Sequence, residues 1–282
     1  MQKSYIFVIS LRVMDNKSLK VLVGSNIISV IFALTLNFLA VLLPINNRTT
    51  GQLSEFYPNY FVPSGFTFSI WGIIYLLMIA FIFYQGFQYY KNNQATNKII
   101  GDIGPWFFIS GLANGFWILA WHYEYVLLSV VIMLVLLYSL FKIYSNVQRT
   151  RPHALWDNIF ILTMSSMYLG WISVATIANV TALLVSMGWN GWGMTEPMWA
   201  SIMIIIAAIL GITAVFSKQD IPFALVIIWA LWGIYSKQSP IETEASQMVA
   251  TVSKYAMTLL IIYTILTTAG KRTYYNITKN TQ

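Results

Sequence analysis

The sequence predicts an all-α protein, a polytopic membrane helical bundle with eight spanning helices. Three observations lead to this fold class. The chain is 58% hydrophobic but only 9% charged, and it contains eight long apolar runs that are almost free of charge. Its Lys and Arg residues also collect on alternate sides of those runs, as they do in membrane proteins.

The composition excludes an ordinary soluble protein. A soluble domain has about 25% charged residues, so a soluble fold of this chain would expose large apolar patches and aggregate. The net charge of +7 needs no nucleic-acid partner, because membrane proteins gather basic residues in their cytoplasmic loops. The chain has no cysteine, which excludes disulfides, iron–sulfur ligation and thiol nucleophiles.

Each span is identified as an apolar run of about 20 residues, the length that crosses the hydrocarbon core of a bilayer. In chain order, the predicted spans are Val21–Leu43, Phe66–Tyr84, Pro105–Trp121, Val126–Ile143, Ile159–Leu184, Trp199–Phe216, Ile221–Tyr235 and Met248–Ala269. The seventh is the shortest, and Asp220 as an N-cap with Pro222 in the first turn favours a helix there. A re-entrant seventh segment would move the carboxyl terminus to the other side of the membrane.

The basic residues predict the orientation. With the amino terminus in the cytoplasm, 13 of the 16 Lys and Arg residues lie in cytoplasmic segments, whereas the outer loops hold only Arg48 and Lys237. This asymmetry follows the positive-inside rule and fits an even number of spans. Residues 1–20 and 271–282 are therefore predicted to be cytoplasmic, and the membrane to be a bacterial-type plasma membrane.

The predicted spans contain almost no ionisable side chains: Lys142 lies at the cytoplasmic end of the fourth span, and Lys254 is the one basic residue deeper inside a span. A proton relay or an ion-coupled pump normally keeps an acidic residue or a histidine near the middle of the membrane. The only histidines, His122 and His153, fall in predicted loops far apart, so no metal site is expected. The sequence therefore favours a membrane binder over an enzyme and predicts neither a catalytic residue nor a required cofactor.

Aromatic and amide side chains recur at helical spacing on three of the predicted spans. These stripes consist of Trp71, Tyr75 and Met78 on the second span, Asn114, Trp117 and Trp121 on the third, and Tyr168, Trp171, Ala175 and Asn179 on the fifth. The predicted orientation places four of them in the outer half of the bilayer, where they could converge on a ligand: Trp71, Trp117, Trp121 and Asn179. Helix packing is the alternative, because polar residues also join spans in lipid.

The stripes resemble motifs of the TspO/MBR family, the tryptophan-rich sensory proteins that include the mitochondrial translocator protein. Pro63–Tyr75 is similar to the family's second helix, with its proline-rich approach, its Trp and a Tyr four residues later. Asn114–Trp121 resembles the third helix, which has Asn-x-x-Trp followed by an aromatic residue. Tyr168–Asn179 resembles the Tyr-Leu-Ala-Trp and later Asn of the fifth. The resemblance covers approximately Val21–Leu184.

The resemblance implies a five-helix membrane domain at residues 21–188, followed by a three-helix extension at residues 189–270. It also implies a pocket for flat hydrophobic ligands, chiefly porphyrins and related tetrapyrroles, beneath the first long loop, Ile45–Gly65. The ligand-binding residues it implies are Trp71, Tyr75, Asn114, Trp117, Trp121, Tyr168, Trp171 and Asn179.

The function implied is that of a receptor with a regulatory, sensory role. A transporter of the same ligand and a membrane enzyme that degrades porphyrin are the two alternatives. A sensor would bind the ligand in liposomes without accelerating its flux, whereas a transporter would accelerate it. A homodimer is also compatible with the sequence.

Overall fold

The computed structural model describes residues 15–43, 45–150, 152 and 154–280, with side chains as far as Ala269. The α-helices, in chain order, are α1 (Asn16–Leu42), α2 (Thr50–Glu55), α3 (Ile70–Tyr90), α4 (Gln94–Ile103), α5 (Trp106–His122), α6 (Val126–Thr150), α7 (Leu155–Asp157), α8 (Met164–Ser186), α9 (Glu196–Lys218), α10 (Ile221–Gln238) and α11 (Glu244–Asn280). Shorter turns of 3-10 helix are Ile45–Asn47, Gly65–Ser69 and Gly191–Gly193, and a π-helical turn, Asn158–Thr163, joins α7 to α8.

The helices confirm the predicted polytopic bundle. Within the described ranges, 7 helical segments are long and apolar enough to cross a membrane, and the pair α4–α5 makes an eighth if it is one bent span. Large apolar side chains remain exposed along these helices, for example Phe83 at 73% and Phe216 at 76%. Such exposure suits helices whose outer surface is solvated by lipid rather than water. The chain is an integral membrane protein.

All eight predicted spans coincide with helices, but several helices continue past the predicted ends. The predicted fourth span ends at Ile143, whereas α6 continues to Thr150. The short helix α4 was not predicted, and it carries an ion pair between Lys98 Nζ and Asp102 Oδ2 at 2.7 Å. The predicted spans were defined by the absence of charge, so polar residues that prolong a helix beyond the membrane were left out.

Local sequence determines where two of the helices break or begin. At Gly104 the backbone has φ +61°, a conformation that glycine adopts at little cost, and Pro105 is then the N-cap of α5. The axes of α4 and α5 are bent by 51° at this point. The predicted N-cap of α10 is confirmed, because Asp220 Oδ1 accepts a hydrogen bond from the backbone N–H of Phe223 at 3.0 Å.

The amino-terminal helices pack around α5 and α8. Helix α5 lies between α1 and α6, and α8 contacts α3, α6 and α10. Close approach of α1 and α5 depends on small residues, because a Cβ atom added to Gly111 would lie 2.6 Å from the Cβ of Ser29. Small residues are the usual means by which membrane helices come together in lipid.

The last three spanning helices are joined to the first part of the chain through α10. Helices α9, α10 and α11 pack against one another, and α10 also packs against α8. Ser64 Oγ and the Ser64 backbone N–H both donate to the carbonyl oxygen of Gly233, at 2.9 and 3.0 Å. Trp229 Nε1 donates to the carbonyl oxygen of Thr67 at 2.8 Å. The division of the chain near residue 188 stays a prediction, but α10 supports the segment that precedes α3.

The loops after α1, α5, α8 and α10 lie together at one end of the bundle, which we call the distal end. Arg48, after α1, forms an ion pair with Glu124, after α5, at 2.8 Å. Gln238, at the end of α10, donates to the carbonyl oxygen of Tyr60 at 3.2 Å. The distal end corresponds to the predicted outer face of the membrane.

Single cysteines can test this orientation, because the chain has none. A cysteine replacing Met187, which is 71% exposed at the end of α8, is expected to react with a membrane-impermeant maleimide in intact cells. A cysteine replacing Ser217, near the opposite end of α9, is expected to react only after permeabilisation. These results are expected because basic residues accumulate at the end opposite the distal end, and basic residues mark the cytoplasmic side of a membrane protein. The reverse labelling pattern would place the distal end in the cytoplasm.

Candidate ligand-binding site

The four tryptophans of the predicted stripes meet in one cavity near the distal end, which we call the tryptophan cavity. Its lining includes Trp71 in the first turn of α3, Trp117 and Trp121 on α5, and Trp171 on α8. The rings of Trp117 and Trp121 are stacked, with centroids 6.1 Å apart and planes 13° from parallel. Trp171 meets Trp71 edge-on at 6.2 Å. The structure thus places in one cavity the four tryptophans that the sequence assigned to helix faces by their spacing.

Small residues on α8 leave the space that these rings surround. Ala175, Ala178 and Ala182 all line the tryptophan cavity, and their spacing places them on the same face of the helix. Larger side chains at these positions would fill the cavity. Of these three alanines, only Ala175 belongs to the predicted stripe on the fifth span. Ala178 and Ala182 were not predicted to line the site, although their helical spacing from Ala175 could have indicated it.

The segment Thr49–Ser69 covers the tryptophan cavity, and we call it the cover segment. Thr50 and Ser54 of α2 line the cavity, together with Phe61 and Phe68. Phe68 packs edge-on against Trp171, with ring centroids 6.1 Å apart. Neither phenylalanine was predicted to line the site. Phe61 lies in an irregular segment where helical periodicity gives no information, whereas Phe68 lies three residues before Trp71, a helical spacing that the sequence did offer.

Polar contacts anchor the cover segment to the end of α5. The ring of His122, which is 0% exposed, lies 3.0 Å from both the carbonyl oxygen of Ile45 and the hydroxyl of Thr50. His122, predicted in a loop, is the last residue of α5 and joins that helix to the cover segment, while His153 lies outside the described residues. Tyr57 packs on Trp121 at 5.7 Å. Burial and the neighbouring Glu124 carboxylate raise the pKa of Tyr57, so its phenol stays neutral against the indole.

The tryptophan cavity is narrow in this structure. Its volume is about 60 Å³, which is room for roughly two water molecules, whereas small-molecule pockets usually measure about 300–1,000 Å³. A larger space of about 390 Å³ adjoins it between α1 and α3, and we call this the α1–α3 groove. The two spaces share the lining residues Thr50, Ser54, Pro63, Phe68 and Trp71. A flat ligand can therefore enter only if the cover segment or the shared aromatic rings move.

Asn114 and Tyr168 do not line the tryptophan cavity, in contrast to the site predicted from the sequence. Asn114 Oδ1 accepts from Asn37 Nδ2 at 2.7 Å, and Asn114 Nδ2 donates to the hydroxyl of Tyr168 at 2.9 Å. These contacts join α1, α5 and α8. Helical spacing placed Asn114 on the same face as Trp117, but one turn deeper, where α1 closes against α5. In this structure the amide therefore holds helices together.

Asn179 and Tyr75 lie at the site, but differently from the prediction. Asn179 lines the tryptophan cavity, yet its Oδ1 accepts from Trp117 Nε1 at 3.0 Å and its Nδ2 donates to Ser129 Oγ at 2.9 Å. Its amide therefore positions Trp117. Tyr75 lines the α1–α3 groove instead of the cavity, and its ring is stacked on Trp71 at 5.1 Å.

Trp171 supplies a polar group that the protein itself leaves unused. The side chain is 3% exposed, and its indole N–H has no hydrogen-bond acceptor among the described residues. A buried donor without a partner costs about 1–3 kcal/mol. The ring lines the tryptophan cavity, so an acceptor on a bound molecule is the simplest means of satisfying this N–H group.

Comparison with known proteins identifies the family. A family model described as TSPO-like protein matches residues 21–266. The match includes the last three spanning helices as well as the five that carry the aromatic stripes. No curated protein and no solved structure matches the chain significantly. Since the matched region covers most of the 282 residues, the chain belongs to the family of TSPO-like proteins.

Proposed function

We propose that the protein is a membrane-embedded binder of flat hydrophobic ligands such as porphyrins, with a regulatory, sensory role. The observation that carries this proposal is the convergence of Trp71, Trp117, Trp121 and Trp171 on a single cavity. Indole faces suit a flat aromatic ligand, because offset and edge-on ring contacts are favourable in addition to the area they bury. The cover segment would exclude water from the bound ligand.

The small size of the cavity suggests how binding is coupled to a signal. A ligand shifts a protein toward the conformation that it binds better, and displacement of part of the cover segment is one way to make room for the ligand. Ser64 and Thr67 of this segment bind α10 directly. A ligand that moved them would therefore change the position of α10, so that the last three helices would report the occupancy of the cavity.

A binder is favoured over a transporter because the bundle is filled beneath the cavity. Met78 and Phe81 of α3 and Phe107 of α5 are all 0% exposed, and the hydrogen bonds of Asn114 cross between helices just below Trp117. A porphyrin that entered from the distal end would meet this packed core. The proposal assigns the protein no catalytic step, and the ligand is bound rather than chemically changed.

The unpaired indole N–H of Trp171 gives a specific test. Trp171→Phe keeps an aromatic ring but removes the N–H group, so the free protein is expected to melt at the same or a higher temperature. Porphyrin affinity, measured by quenching of tryptophan fluorescence in detergent micelles, is expected to fall several-fold, because the ligand loses a donor worth about 1 kcal/mol. A loss of affinity without a loss of stability is the result that a purely structural Trp171 would not give.

Trp232→Phe is the matched control. Trp232 lies on α10, is 43% exposed and does not line the tryptophan cavity, so its porphyrin affinity should equal that of the parent. Saturable binding should also be absent from empty micelles. If Trp171→Phe binds porphyrin as tightly as the parent, the indole N–H of Trp171 makes no contact with the ligand. If the parent itself shows no saturable binding of porphyrin, the proposed function is wrong.

A further inference from the structure

A second and larger cavity lies between α8 and α9, and we call it the α8–α9 cavity. Its volume is about 710 Å³, within the range of about 300–1,000 Å³ for small-molecule pockets. Its lining includes Tyr60, Trp189, Glu196, Trp199 and Met203. The cavity depends on α9 and on the loop that precedes it, and is therefore absent from a bundle of the first five spans alone.

Helix α8 and Phe61, which lines both spaces, lie between this cavity and the tryptophan cavity. Ile177, Thr181 and Leu184 line the α8–α9 cavity, whereas Ala178 and Ala182 line the tryptophan cavity. The two sets lie on different faces of the helix. A ligand of the α8–α9 cavity would therefore occupy a site of its own.

Most polar side chains that line the α8–α9 cavity are already engaged by backbone groups. Asn59 Oδ1 accepts from the backbone N–H of Phe61, and Asn190 Oδ1 accepts from that of Trp192. Thr176 and Thr181 each donate to a carbonyl oxygen one turn earlier in α8. These groups are satisfied without a ligand.

Glu196 differs from these residues. Its carboxylate forms no hydrogen bond or ion pair within the described part of the chain, although Arg48 and Glu124 at the same end of the bundle pair with each other. Glu196 opens α9 and lines the cavity. Its side chain is exposed, so the α8–α9 cavity has one free negative charge at its opening, beside apolar and aromatic walls.

The aromatic walls are held in a fixed arrangement. The ring centroids of Trp189 and Trp199 lie 5.1 Å apart, and Trp199 Nε1 donates to the carbonyl oxygen of Gly191 at 2.7 Å. Gly191 has φ +66°, and a Cβ atom there would lie 3.2 Å from Trp199 Nε1. Glycine thus lets the loop turn tightly against the indole. Aromatic faces beside a carboxylate form the setting in which proteins recognise organic cations.

We propose that the α8–α9 cavity binds a hydrophobic monovalent organic cation. The charged centre would lie between the Glu196 carboxylate and the indole rings of Trp189 and Trp199. The apolar part would lie against Ile177 and Met203. This site is independent of the tryptophan cavity, and the proposal does not rest on porphyrin binding.

Tetraphenylphosphonium and tetraphenylborate are suitable probes, because they share size and shape but carry opposite charges. Each is titrated by calorimetry into the full-length protein in phosphatidylcholine nanodiscs, and the heat measured with empty nanodiscs is subtracted. The parent is expected to bind tetraphenylphosphonium more tightly than tetraphenylborate. Glu196→Gln is expected to weaken tetraphenylphosphonium binding about tenfold and to leave porphyrin binding unchanged.

Glu242→Gln is the matched control, because Glu242 is an exposed acid in the loop between α10 and α11 and does not line the cavity. It removes the same charge from the distal end and should leave the cation affinity unchanged. Trp189→Leu should weaken binding of the cation through loss of its ring. The proposal is overturned if the parent binds both probes equally, or if Glu196→Gln retains parental affinity for the cation. The comparison of the two probes uses only the parent protein, so it does not depend on whether a variant folds.

Discussion

Replacing Trp117 with alanine is expected to reduce both the stability of the protein and its affinity for porphyrin. Trp117 is 6% exposed, and truncating a buried tryptophan costs about 3–5 kcal/mol. Asn179 would also lose the indole N–H that it binds at 3.0 Å. Porphyrin affinity should fall several-fold to tens-fold, because the stacking surface is removed. Thermal unfolding in micelles gives the stability, and tryptophan quenching well below the lower melting temperature gives the affinity.

Two further variants separate the causes. Trp117→Phe keeps a ring in the cavity and should weaken porphyrin binding less than Trp117→Ala. Trp156→Ala removes a tryptophan that is 55% exposed on α7 and should leave the affinity unchanged. If Trp117→Ala folds and binds porphyrin as tightly as the parent, the aromatic stripes serve only to pack helices, and the tryptophan cavity is not the ligand site.

Gly233→Ala is expected to destabilise the protein by about 1–3 kcal/mol, the usual cost of extra volume in a packed interior. A Cβ atom at this position would overlap the side chain of Thr67, which is 0% exposed and cannot move into free space. The carbonyl oxygen of Gly233 also accepts two hydrogen bonds from Ser64. Separation of α10 from the cover segment would weaken both contacts. The expected readout is a lower melting temperature in micelles.

Gly86→Ala is the matched control for this substitution. Gly86 lies inside α3, and a Cβ atom there would meet nothing within 4 Å. Alanine should therefore stabilise the helix by up to about 1 kcal/mol, which is its advantage over glycine in a helix interior. Equal shifts in melting temperature for Gly86→Ala and Gly233→Ala would show that α10 does not approach the cover segment closely.

The spans could be predicted because their signal is local. An apolar run without charge crosses lipid whatever it packs against, so even the short seventh segment is a helix, from Ile221 to Gln238. The convergence of Trp71, Trp117 and Trp171 also followed from local information, since helical spacing defines a face and chain direction defines a depth. Phe61 was missed because it lies in an irregular part of the cover segment, where no period defines a face.

The predicted roles of the amides depended on information that spacing does not contain. Asn114 and Asn179 share faces with tryptophans, and a polar side chain in lipid must find a partner. The sequence could not show whether that partner is a ligand or the protein. In the structure Asn37 and Tyr168 bind Asn114, while Trp117 and Ser129 bind Asn179.

By itself, the sequence determined an all-α membrane bundle and the set of tryptophans that lie near one another, because hydropathy and helical period are properties of neighbouring residues. Only the tertiary structure decided that the tryptophan cavity is as small as about 60 Å³, that α8 and Phe61 lie between it and a second cavity, and that α10 supports the cover segment. These features depend on contacts between distant residues, such as Ser64 and Gly233, which are separated by 169 positions. Such contacts depend on how the surfaces of packed helices fit together, and a local pattern in the sequence does not predict that fit.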